Sequence, residues 1–243
     1  MTGQLHAAGT TAPRRSDAGA VRIGQRDIDG LTLCAEHYGA PYDLLAAALG
    51  AQPARLRAIT GRWRAAGYAA TGRLGPGPGW CWLTSAGMSA AGFSYRAGPP
   101  SLARLGHIRA VLAARLWLQA SPAWAQAAPW WQSERRIRAA RPGPDGHLPD
   151  AEIWWPSTGT SPYAGQVWAV EVELTAKAAG RTAAIMAGLL AAPARYAQVL
   201  YLAAPPARPV VTRSAERVPA GQQARLIIRD LPPAVLGPGP VTP

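Results

Sequence analysis

The segment "VWAVEVEL" (167–174) limits the possible folds more than any other stretch of the chain. Trp168, Val170, Val172 and Leu174 alternate with Ala169, Glu171 and Glu173, a period of two that specifies a β-strand with both glutamates on one face. Their Cα atoms are then about 6.7 Å apart along the strand, so the two carboxylates can line one cleft. After Leu174 the pattern becomes "TAKAAGRTAAIMAGLLA", with Ile185, Leu189 and Leu190 at helical spacing. Thr175 is the expected helix cap, and a first turn there would fold Lys177 back toward the glutamates. The later runs "AQVLYLAAP" and "ARLIIRDL", with a helical 210–217 between them, add buried strands and complete a small α/β domain.

Upstream, Leu102, Leu105, Ile108, Leu112 and Leu116 form the apolar stripe of a helix over 101–120, with His107 beside it as a packing or capping residue. Glu134 opens a basic run, and "HLPDAEIWW" (147–155) reads as a strand carrying Pro149 and Asp150 at its start. Asp150 from one strand, Glu171 and Glu173 from the next and Glu134 from a helix would then form one acidic pocket. His147, two residues before Pro149, is expected to make a loop hydrogen bond.

The first third of the chain is organised differently. Helical spacing is present over 26–38, over a short segment that begins at Pro41 and closes at Gly50, and over 53–66. In the third helix Leu56, Ile59, Trp63 and Ala66 form one stripe, leaving Arg55, Arg57, Arg62 and Arg64 around the other sides. "YAATGRL" and "GWCWLT" then pair as strands across the turn "GPGPG" (75–79). Three helices and a hairpin in that order are a winged helix, which places its third helix in the major groove and its wing on the flanking backbone. Arg55, Arg57, Arg62 and Arg64 are the expected groove contacts and Arg73 the wing contact. The expected organisation is a disordered tail at 1–22, the winged helix at 23–93, a linker at 94–101, the α/β domain at 102–231 and a second disordered tail at 232–243.

Charge points the same way. A formal net charge of +12 favours a polyanion as partner, with double-stranded DNA first, because arginine contacts to phosphate release condensed counterions. No apolar run approaches the roughly 20 residues that span a bilayer, and the polar start lacks a signal-peptide core. A cytoplasmic location without membrane contact is therefore expected. Two cysteines, Cys34 and Cys81, are too few for a disulfide framework and read as buried thiols. Against 24 arginines there is one lysine, Lys177, and a compact ammonium with a tunable pKa does what a guanidinium cannot.

Glu134, "PD" at 149–150 and "EVELTAK" at 171–177 resemble the PD-(D/E)xK nuclease-like fold, in which a helix glutamate, a PD aspartate and a (D/E)xK strand line one metal site. Where that pattern puts lysine two residues after the acid, this chain has Glu173 or Thr175, so Lys177 is expected to supply the amine. The whole arrangement, a winged helix followed by "WQSER", "HLPDA" and "VEVELTAK", further resembles the replication-relaxation family of plasmids and mobile elements in high-GC bacteria. The resemblance implies a restriction-endonuclease-like mixed sheet and a role in plasmid replication and DNA relaxation. Within it Glu134, Asp150, Glu171, Glu173 and Lys177 would be catalytic, and Asp150, Glu171 and Glu173 would hold Mg²⁺ or Mn²⁺ for endonucleolytic nicking.

Other chemistries lack their residues. His6, His37, His107 and His147 are isolated, so there is no His-x-His pair for rolling-circle nicking. "GPGPG" has no following Lys-Ser/Thr, and no G-x-S-x-G occurs. Tyr196 and Tyr201 lie in apolar contexts that read as core. The alternative function is a non-catalytic replication accessory or transcription regulator whose nuclease-like domain only holds DNA or a partner. A third is an assembly factor that binds replication proteins or a second copy through exposed tryptophans such as Trp154 and Trp155.

Overall fold

The computed structural model describes residues 23–141, 147–159, 161–191 and 195–232. The tails expected at 1–22 and 232–243 lie, apart from Pro232, outside the described residues. The chain is a mixture of helix and sheet with two separate sheets, as the α/β class requires.

The first sheet belongs to a compact headpiece. Helix α1 (Gln25–Glu36) is followed by the two-residue β1 (Ala40–Pro41), α2 (Tyr42–Ala48), α3 (Pro53–Ala65), β2 (Ala69–Gly72) and β3 (Trp80–Leu83). Strand order is β1-β3-β2, all antiparallel, which is the winged-helix order with one short strand that periodicity could not reveal. Pro53 starts α3 without loss, since its missing N–H falls where the helix has no acceptor for one. Leu56, Ile59 and Trp63 are buried, as their stripe requires. Helix α1 lies directly on α3: a Cβ on Gly30 would come within 2.4 Å of Trp63, so only glycine allows that approach. The contact is fastened by Asp27, which accepts the Trp63 indole N–H at 2.8 Å and the Gly24 backbone N–H at 3.1 Å. Short α4 (Ser85–Ala90), not foreseen from sequence, is capped by Thr84, whose hydroxyl accepts the Gly87 N–H.

The second sheet has five strands in sequential order, β4 (Trp130–Ser133), β5 (Ala151–Trp154), β6 (Val167–Glu173), β7 (Gln198–Ala203) and β8 (Leu226–Asp230). The first two pairings are antiparallel and the last two parallel, giving the mixed sheet expected. The parallel pairings need crossovers, supplied by α8 (Ala179–Leu190) and α9 (Arg208–Ala215), with a single turn α10 (Ala220–Gln223) before β8. Central β6 is buried on both faces. Trp168, Val170 and Val172 pack toward α5 (Leu105–Gln119), while Ala169 joins Met186, Leu189 and Tyr201 under α8. Two short helices, α6 (Pro122–Ala127) and α7 (Glu134–Ala140), flank β4.

The run 94–101 is irregular, but it is tied down. Tyr95 stacks on Phe93 and packs on the headpiece core, and buried Arg135 of α7 donates to the carbonyls of Ala35 and Arg96. Helix α5 serves both halves, since Leu112 lies in the headpiece core and Val111 and Ala114 lie in the sheet core. No helix among the described residues is long and apolar enough to cross a membrane.

Candidate functional site

Antiparallel register sets Ala151 opposite Val170, so Asp150, one residue earlier, faces Glu171 one residue later, on the same side of the sheet. Glu173 follows two residues on, and Tyr201 of β7 is paired with Glu171. Asp150, Glu171 and Glu173 therefore share the α8 face, as alternation predicts. Both glutamates are buried, which is unusual for carboxylates and must be offset by partners.

Each carboxylate has such a partner. Asp150 accepts the backbone N–H of Val172 at 2.8 Å through Oδ2, and its Oδ1 lies 2.8 Å from Nε2 of His107. Nε2 of His147 lies 2.8 Å from a Glu171 oxygen, and the Lys177 ammonium lies 2.7 Å from Glu173. Lys177 does fold back, but not on a helix that begins at Thr175. Residues 174–178 form a bend and α8 starts at Ala179, capped without a side chain. The bend alone brings the amine round.

Electrostatics single out Glu171. Burial, and then the neighbouring Asp150 charge, push its pKa up to about 7, against the opposing pull of His147 and Lys177. The hydrogen bond to Glu171 raises the pKa of His147 in turn, so each member of the pair favours the charged form of the other. Burial disfavours the charged form of His107, but the Asp150 carboxylate outweighs it and its pKa is raised. The Tyr201 hydroxyl is buried without a hydrogen-bond partner among the described residues, and burial and then the Glu171 charge drive its pKa upward.

Glu134 approaches Asp150 from the α7 side, where its backbone N–H donates to the Asp150 carbonyl at 3.0 Å. It begins α7 behind Ser133 and lines a cleft with Tyr38, Arg104, His107 and Asp150. Burial works against its charge, but Arg104 at 2.8 Å and Arg138 at 2.6 Å bind it and lower its pKa. Two guanidiniums thus occupy the oxygens of the glutamate expected to complete the acidic pocket. Among the described residues no group of three or more His, Cys, Asp or Glu side chains is arranged to hold a metal ion. Asp150, Glu171 and Glu173 are thus gathered on one acidic face, each side chain drawn to a separate basic or N–H partner.

Two histidines were underrated by sequence reasoning. His107 lies on α5 beside the stripe that packs on the sheet and reaches over the sheet end to Asp150; its i−1 position from Ile108 gave no hint of that partner. His147 does make a loop hydrogen bond, and its acceptor is the buried Glu171.

A repeated arrangement surrounds α7. Glu36 is bound by Arg115 and Arg136, Glu134 by Arg104 and Arg138, and Glu152 by Arg141 and Arg195. Each carboxylate is shared by two guanidiniums, leaving one positive charge in surplus at each of the three. Glu152, fully buried on the acidic face, also accepts the Tyr196 hydroxyl at 2.6 Å and the Trp154 indole N–H at 3.0 Å.

On the headpiece, Arg55, Arg57, Arg64 and Arg73 are exposed and have no carboxylate partner among the described residues. Arg62 differs: it reaches back to Asp27 of α1 at 3.0 Å, so its charge is partly spent inside the fold. A shallow open groove beside α3 and β2 is lined by Gly61, Arg64 and Thr71. No protein-family model matches this chain, and no curated protein or solved structure matches it either.

Proposed function

We propose that the chain is a DNA-binding protein of the replication-relaxation type, in which the headpiece holds double-stranded DNA and the acidic face of the larger sheet nicks it. The observation that carries this reading is the pairing of Asp150 with Glu171 on neighbouring strands, with Lys177 drawn in beside Glu173. A buried carboxyl beside a second carboxylate marks a local deficit of positive charge, and its hard oxygen donors suit Mg²⁺ or Mn²⁺. Asp150 and Glu171 would hold such an ion, with Glu173 kept behind them by Lys177. When bound, it would supply a water of lowered pKa and a positive charge opposite the phosphate.

The chain's own residues do the rest. His107 and the Val172 N–H fix the Asp150 carboxylate, His147 is placed to take a proton displaced from Glu171, and Lys177 adds a point charge for the scissile phosphate. Arg55, Arg57 and Arg64 on α3 and Arg73 in the wing supply phosphate and groove contacts. Incubation of the protein with supercoiled plasmid and Mg²⁺ tests this: nicked circles should form, and Asp150→Ala or Glu171→Ala should abolish them. Equal nicking by both variants would remove the enzymatic reading.

The non-catalytic alternative, a replication accessory or regulator that only holds DNA, is favoured by the ion pairs themselves, since every acid already has a cationic or N–H partner. It predicts salt-dependent DNA binding that Asp150→Ala leaves unchanged, without metal-dependent cleavage.

A further inference from the structure

Trp130 and Trp154 face each other across β4 and β5, in register, with ring centroids 6.2 Å apart. They remain 49% and 38% exposed, although a tryptophan this open leaves much of its apolar ring surface in water. Trp154 lies four residues beyond Asp150, hence on the same face and about 13 Å along the strand. The Arg136 guanidinium sits 5.6 Å from the Trp130 ring, and Trp154 is hydrogen-bonded to Glu152. Those two contacts connect the pair to two of the three carboxylates that carry a surplus positive charge. Trp155, expected to be exposed like Trp154, is instead packed against Tyr163 and Trp168 on the opposite face.

We infer that Trp130 and Trp154 form a stacking platform for unpaired bases of single-stranded DNA, on the approach to the acidic face. The two rings are inclined by 45°, so each offers its own face to a base; an aromatic face stacks any base, and guanidiniums beside it hold the phosphates, the combination by which single strands are bound without sequence readout. The carboxylate–arginine clusters fit this partner because their net charge is positive and their arginines are held in place, so little side-chain order is lost on binding. A protein partner would gain from the tryptophans but not from the uncompensated charge. The inference rests on the proposed DNA-binding role and names the form of DNA that this wall of the larger domain accepts: the strand opened at or near a nick.

The test uses the full chain with fluorescein-labelled dT20 and, separately, a labelled duplex. Trp130→Ala and Trp154→Ala together should weaken dT20 binding by at least about tenfold, since each stacked base accounts for roughly five- to a hundredfold, while duplex binding changes little. Trp154→Phe, which keeps a ring but loses the bond to Glu152, should retain most of the dT20 affinity. Unchanged dT20 affinity in the double alanine variant would overturn the platform. So would loss of concentration-dependent self-association in that variant with dT20 binding intact, which would reassign the surface to a second copy. Failure of the headpiece reading looks different: duplex binding would be absent or indifferent to Arg57→Ala and Arg64→Ala, with dT20 binding still sensitive to the tryptophans.

Discussion

His107 of α5 and Asp150 at the head of β5 are joined at 2.8 Å, a bond between a helix on one side of the larger sheet and a carboxylate on the other. The same Asp150 accepts the Val172 N–H, so both of its oxygens are fixed and the carboxylate is held still beside Glu171.

That fixation predicts a positioning role for His107. His107→Ala should reduce plasmid nicking about 10- to 100-fold, in the range usual for residues that orient a catalytic group, while thermal stability falls by no more than about 1 kcal/mol because the imidazole is partly exposed. His107→Gln, which can still donate to Asp150, should recover part of the rate. Nicking assays and thermal melts on the three proteins separate the two effects.

The exposed arginines of α3 should govern salt dependence. Replacing Arg57 or Arg64 by Ala should weaken duplex binding at every sequence tested and lower the slope of log K against log[salt] by about 0.9 for each phosphate that is no longer neutralised. Arg62→Ala should instead reduce stability, since its guanidinium is bonded to Asp27. Titrations at several salt concentrations, alongside denaturation curves, check both outcomes.

Asp27 makes the headpiece sensitive to acid. Burial raises its pKa, but the Gly24 N–H, Trp63 and Arg62 together outweigh burial and lower it below 3.8. A group whose folded pKa lies below its unfolded one adds stability that is fully present above the unfolded value and is lost as pH falls through the folded one. Asp27→Asn should therefore cost about 1–3 kcal/mol at pH 7, and the difference from the parent protein should shrink below about pH 4. Urea denaturation at pH 7, 5 and 3 measures it.

Two glycines should respond in opposite directions to the same change. Gly30→Ala drives a methyl group into Trp63 and should destabilise by about 1–3 kcal/mol. Gly61, in the exposed middle of α3, has nothing within 4 Å of a Cβ, so Gly61→Ala should stabilise by about 0.5–1 kcal/mol. Paired thermal melts suffice.

Elements with a full period were legible in the sequence. The stripe Leu56, Ile59, Trp63 located α3 almost to the residue, and the alternation around Glu171 located β6, because each buries an uninterrupted face. Elements shorter than one period were not: β1 at Ala40–Pro41 exists only because β3 pairs with it, and α4 depends on a threonine cap and on Gly87, where a Cβ would come within 1.9 Å of the Tyr68 carbonyl oxygen. The acidic face was legible for the same reason as β6. Its partners were not, since His107 is separated from Asp150 by 43 residues and Glu134 is drawn to Arg104 by packing that no local pattern encodes.

Leu112 and Val111 are adjacent on α5, yet they belong to different apolar cores. A helix shared in this way cannot unravel without opening both, so heating should produce one calorimetric transition rather than two. A chain cut between the headpiece and α5 would leave each fragment with an uncovered oily seam.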